Sequence, residues 1–240
     1  MKTKTLKSLQ LIEMVLGVAI TALGLSLMMK SGLGQTAVVA FTQNLAFLTQ
    51  MKSGTLIIIF NCSCVLIQIL IQRRQFPKLQ LLQVLVAWLQ GQIVNVFCYE
   101  LPGFSTWIPG SYGVQWLAMI AGILLASYGV AVMMTADLIR HPFEQLVMVL
   151  SERWAIPFSV LRSRADMLFI GLSLLLIVIF HLELTTLREG TWASMLLLGR
   201  SMAFTFPAAR KCSGYCQLKE RGLTSGSGLM GMEKDSAGRP

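Results

Sequence analysis

Six apolar runs, near 9–29, 54–72, 79–98, 113–135, 166–183 and 190–208, constrain this chain more than any other feature. A helix needs about 20 mostly apolar residues to cross a bilayer. Within lipid every backbone N–H and C=O must find its partner inside the structure, which leaves helices and closed barrels. Continuous runs of this length predict helices. Composition agrees, since 55% of the 240 residues are apolar and 13% charged, against about a quarter charged in an ordinary soluble domain. The expectation is an all-α, polytopic membrane protein whose first partner is the lipid bilayer.

Charge gives the runs a direction. A net charge of +9 invites a nucleic-acid reading, but the basic residues fall in alternate connections. With the N-terminus inside, Lys2, Lys4, Lys7, Arg73, Arg74, Lys78, Arg140, Arg153, Arg162, Arg164, Arg210 and Lys211 all lie inside. Only Lys30, Lys52 and Arg188 remain outside. Cytoplasmic loops carry such an excess of Lys and Arg. Both termini are therefore expected in the cytoplasm, and nucleic acid is not an expected partner. The first run is too long for a signal-peptide core and five more follow it, so it reads as a retained helix. Cys62 and Cys64 lie within a run, Cys98 at the end of one, and Cys212 and Cys216 in the tail. With only His141 and His181 beside them, they suggest neither a disulfide framework nor a metal site. No metal or cofactor is expected.

Two shorter apolar stretches, 35–50 and 141–153, are interrupted by Gln43 and Asn44 and by Glu144, Gln145 and Glu152. Counting them as spans would put Arg73, Arg74 and Lys78 outside. They read instead as short helices, either re-entrant or lying in the interface.

The chain also repeats itself. GLSLMMKSGL at 24–33 resembles GVAVMMTADL at 129–138, and Leu11–Leu33 aligns without gaps on Trp116–Leu138, 105 residues later. Each half reads span, short stretch, span, span. Three spans is an odd number, so the second half would enter from the opposite face: an inverted-topology repeat about an axis in the membrane plane. The halves are 1–112 and 113–209. The tail, 210–240, is rich in Gly, Ser and charge and is expected to be disordered. Gly17 and Gly24 share a helix face with Thr21, as Gly122 and Gly129 do with Ala126. Small residues let helix backbones approach closely, so the first and fourth spans are expected to cross at these glycines.

Short motifs carry a resemblance over roughly 9–208. They are Met29-Lys30-Ser31-Gly32-Leu33-Gly34, His141-Pro142-Phe143-Glu144, Gly54-Thr55, and Gly190-Thr191 followed by Ser194 and Gly199. Together they resemble the YczE/YyaS/YitT group of bacterial integral membrane proteins, closest to its YczE-like branch. The chain departs from that pattern where Gln35-Thr36-Ala37 replaces a proline turn and where Arg200 follows Gly199. The resemblance implies a multi-pass protein of the bacterial inner membrane, of a kind sometimes described as a permease, and implies no substrate.

Ionisable groups inside spans are costly and mark functional positions by default. Arg200 lies midway along the sixth run, with Glu13, Asp166 and Glu144 as candidate partners. A structural ion pair, a direct role toward substrate or proton, and snorkelling remain open for it. Asn61, Gln92 and Asn95 add amides that would build a polar floor or join helices. No nucleophile–His–acid set or ATP-binding loop stands out, so no enzyme activity is expected. The leading expectation is a permease or exporter of a small molecule or ion. The alternative is a non-transporting membrane scaffold or regulator.

Overall fold

The structure, a computed structural model, describes residues 2–73, 76–136, 139–182 and 186–212. Eight α-helices follow in order: α1 (Lys2–Ser31), α2 (Ala37–Thr49), α3 (Ser53–Gln72), α4 (Leu82–Asn95), α5 (Tyr112–Ala136), α6 (Pro142–Trp154), α7 (Phe158–Phe180) and α8 (Glu189–Cys212). A 3-10 turn, Lys78–Leu81, leads into α4, and a π turn, Val96–Glu100, extends it. No strand occurs among the described residues. Among the described residues, five helical segments are long and apolar enough to cross a membrane: Ser8–Ser31, Ser53–Gln72, Leu79–Glu100, Tyr112–Ala136 and Phe158–Phe180. The chain thus carries the hallmark of a membrane protein. Helix α8 has the length, with 24 residues, but Glu189, Arg200, Arg210 and Lys211 dilute its apolar character. The tail expected to be disordered lies outside the described residues from 213 onward.

Helix α7 differs most from expectation. It starts at Phe158 rather than near 166. Arg162, assigned above to an inside connection, is therefore a helical residue a little over one turn from the start. The stretch FSVLRSRAD stays helical because Pro157 sets its N-cap and Arg162 meets Asp166 one turn on, with Nε 3.2 Å from Oδ2. Such i,i+4 pairs support a helix surface.

Helices α1 and α5 form the centre of the bundle. A Cβ added at Gly17 would lie 2.8 Å from the Gly129 carbonyl oxygen, and one at Gly24 would lie 2.7 Å from that of Gly122. The helices therefore run antiparallel with their backbones nearly touching. The added Cβ of Gly17 also meets Met133, and that of Gly122 meets Met28. Met28, Met119 and Met133 are fully buried and fill the irregular space beside the seam, as a flexible thioether does.

The short helices are built alike. Helix α2 begins after Thr36 and α6 after His141, and each ends on a residue in the left-handed region, Gln50 (φ 56°) and Ala155 (φ 52°). A non-glycine residue at positive φ is uncommon. Here the two stand 105 residues apart, and each is followed by the same bond, Met51 N–H to Ala46 and Ile156 N–H to Ser151, both 3.2 Å. Pro142 opens α6 with its fixed φ, while Glu144 in the first turn and Arg153 in the last suit the helix dipole.

Candidate functional site

Helix α2 runs alongside α7. Phe41 meets Phe169 at 5.4 Å, and further along both helices Asn44 Nδ2 donates to Ser173 Oγ at 2.6 Å. Helix α6 runs alongside α3 in the same sense, with Phe143 against Phe60 at 5.9 Å and Arg153 donating to the Ile71 carbonyl. Phe60, Phe143 and Phe169 touch one another mid-bundle. Both short helices therefore start in the middle of the molecule and leave toward opposite ends. Their N-caps make no side-chain capping bond, so their first N–H groups face inward with the positive ends of the helix dipoles.

Between these N-termini lies a cavity of about 80 Å³. Its wall contains pairs of residues separated by 105 positions: Thr21 and Ala126, Leu25 and Val130, Thr36 and His141, Val38 and Phe143, Val39 and Glu144, Ile57 and Arg162. Helices α4 and α8 add Gln90 and Leu198. At three of these pairs, Thr36 and His141, Val39 and Glu144, and Ile57 and Arg162, the second half offers an ionisable group where the first does not. Asn61 is 1% exposed, lines the cavity, and has a buried Oδ1 with no hydrogen-bond partner. An unmatched amide there costs about 1–3 kcal/mol unless something in the cavity bonds to it.

The charged wall is a connected cluster. His141 Nδ1 lies 2.8 Å from Glu144 Oε2, and Arg162 donates through Nη1 to Glu144 Oε1 at 2.8 Å and through Nε to Asp166 Oδ2. His141 Nε2 is 2.6 Å from Gln90 Oε1, and the Arg162 guanidinium sits 4.5 Å from the centre of the Phe143 ring. Burial raises the Glu144 carboxyl, but His141 and Arg162 beside it outweigh that and hold it well below the usual carboxylate range.

A second space, about 370 Å³, opens between α7 and α8. Ser159, Ser163 and Asp166 line it from α7, and Ser194 and Met195 from α8. It shares Thr36, Glu144, Arg162 and Leu198 with the central cavity. The contact between α3 and α4, by contrast, is shut. A Cβ added at Gly54 would fall 2.5 Å from Asn95 Oδ1, which already accepts from the Gly54 N–H at 3.0 Å. Helix α7 instead packs on α2 and α6.

A comparison with protein-family models matches residues 8–207 to DUF6198, described as a family of unknown function. The chain belongs to the DUF6198 family. Neither a curated protein nor a solved structure matches it. In this DUF6198 chain the residues singled out in the sequence have separate fates. Glu144 and Asp166 join in one cluster, through Arg162. The side chain of Arg200 lies outside the described residues. Asn61 lines the cavity, whereas Glu13 does not. Asn95 is buried but serves the α3–α4 contact, through Gly54 and Thr55. Gln92 is exposed on α4, and Gln90, two residues earlier, is the one that faces inward. Sequence reasoning passed over Gln90, His141 and Arg162. The available signal was the i,i+3 spacing of His141 and Glu144 together with the i,i+4 spacing of Arg162 and Asp166.

Proposed function

We propose that this DUF6198 protein is a permease or exporter of a small solute, built of two inverted halves of three spans, with its site in the central cavity. The 105-residue pairing of the cavity wall carries the reading. Exchanging the halves maps the Gly17–Met133 contact onto Gly122–Met28, and Gly24–Ala126 onto Gly129–Thr21. Contacts in which i meets j and j meets i are what a two-fold axis produces. Secondary transporters place their site at such a repeat interface near the midplane. On this reading α8 is the sixth span, α2 and α6 are re-entrant, and both termini face the cytoplasm of a bacterial cell. The shut α3–α4 seam and the parted α7–α8 seam supply the asymmetry that alternating access requires. A non-transporting scaffold is the second reading, favoured by the small cavity volume and by Arg162 being bonded to both carboxylates.

Proteoliposome flux tests the choice. With a panel of small ionic and neutral solutes, the parent protein should exceed empty liposomes for at least one. Asn61→Leu should cut that flux about tenfold by removing a polar contact worth on the order of 1.5 kcal/mol. Flux equal to that of empty liposomes for every solute would end the permease reading.

A further inference from the structure

We propose that the central cavity binds a small neutral solute that carries N–H or O–H donors beside a carbonyl-type acceptor, with a primary carboxamide as the type. The role of the site rests on the permease reading, on which such a solute is the cargo.

The wall holds acceptors without donors and donors without acceptors. Three buried atoms of wall residues, Asn61 Oδ1, Glu144 Oε2 and His141 Nδ1, have no hydrogen-bond partner among the described residues. The amide carbonyl and the carboxylate oxygen only accept. The same wall contains Val38 and Val39 of α2 and Phe143 and Glu144 of α6. Their N–H groups lie in the first turn, where no carbonyl of the same helix reaches them. Neither N-cap side chain reaches them either. An occupant that satisfies both sets carries donors and an acceptor in one molecule.

Charge narrows the choice. The positive ends of two helix dipoles meet at the cavity, and Arg162 lines it, so a cation is disfavoured. An anion is disfavoured by Glu144. It would also find no free guanidinium, because Arg162 is held by Glu144 Oε1 at 2.8 Å and by Asp166 Oδ2 at 3.2 Å. A neutral dipole meets neither obstacle, with its carbonyl toward the helix N-termini and its N–H toward Asn61 Oδ1.

Size narrows it further. An apolar cavity of about 150 Å³ accommodates benzene. At about 80 Å³ the present one holds a molecule of about four non-hydrogen atoms. Leu25, Ile57, Phe60, Val130 and Leu198 make the rest of the wall apolar, which suits a methyl or methylene group.

Four probes of nearly one size and shape test the choice: acetamide, acetone, acetate and acetamidinium. Acetone keeps the acceptor and lacks the donors. Acetate lacks the donors and adds negative charge. Acetamidinium keeps the donors, lacks the acceptor and adds positive charge. Each is titrated into the full-length protein in nanodiscs while the nitrogen-15 resonances of the Asn61 side-chain amide are followed. Acetamide should shift them saturably, with a Kd no tighter than about 40 μM, the ceiling for so small a ligand. The other three should each need about tenfold more or beyond, as expected when a buried hydrogen bond is left unmade. Saturation by any of them below that margin would overturn the proposal. So would a cavity holding only water, seen as no saturable shift with any probe. Magnetisation transfer from protein to acetamide should disappear in Asn61→Leu, and its persistence there would also count against the site. If the melting curve shows that Asn61→Leu does not fold, the four-probe series on the parent decides alone. Selective acetamide binding without flux of any solute removes the permease reading alone, and flux of a solute without such binding removes this inference alone.

Discussion

Glu144 is the residue on which the site turns, because it contacts both His141 and Arg162 and borders both spaces. It belongs to α6 rather than to one of the five apolar segments. Its carboxyl is held low in the folded protein. A carboxylate with a depressed folded value adds stability above its unfolded pKa, about 4.3 for Glu, and that stability is lost as pH falls through the folded value. The parent should therefore melt at progressively lower temperature below about pH 4. Glu144→Gln should melt lower than the parent at pH 7 and show a shallower acid dependence, both readable by thermal unfolding in detergent. Only half of this cluster was legible in the sequence. Glu144 and Asp166 stood out as acids in apolar surroundings, but Arg162 read as one more cytoplasmic charge and His141 as an isolated ring. Proximity across α4, α6 and α7 is a tertiary fact that local spacing does not contain. Gln92 shows the same limit, since residues two apart on a helix point about 200° apart, and only Gln90 faces His141.

At the scale of elements, the α1–α5 seam is the most sequence-legible part of the molecule. The matching glycines announced a close crossing, and these glycines meet at it. A Cβ at Gly129 would lie 2.5 Å from the Thr21 nitrogen and 2.7 Å from the Gly17 oxygen. Both are backbone atoms, so the helices themselves would have to separate. Gly129→Leu should cost about 3 kcal/mol or more, the upper range for overpacking, seen as a lower melting temperature or loss of folded protein. Gly171 on α7 has nothing within 4 Å of an added Cβ. Gly171→Ala should be neutral or stabilise by up to about 1 kcal/mol, because alanine loses less backbone entropy in a helix. The start of α7 was less legible than its body. The polar letters around Arg162 and Asp166 look like a loop until Glu144 is seen to accept from Arg162 at 2.8 Å.

Across the whole molecule, contacts sort the connections into two ends. Lys30 reaches the Ser105 carbonyl, Lys52 pairs with Glu100, and Arg188 donates to the Gly32 carbonyl. At the other end Gln10 donates to Ala136 and Arg153 to Ile71. In a cysteine-free background, Ser105→Cys should react with an impermeant maleimide on intact cells, and Arg153→Cys only after the membrane is opened. Reaction of both without opening would contradict this arrangement. The order of elements was readable from apolar run lengths, whereas the depth at which α2 and α6 begin was not. That depth follows from Phe41 meeting Phe169 and Phe143 meeting Phe60.

The two seams, α3–α4 locked at Gly54 and Asn95 and α7–α8 parted around Asp166, are a pair of postures within a single polypeptide. If the halves trade places during a working stroke, α3 and α4 already portray the destination of α7 and α8. Laying the second half over the first then traces the journey one helix has yet to make.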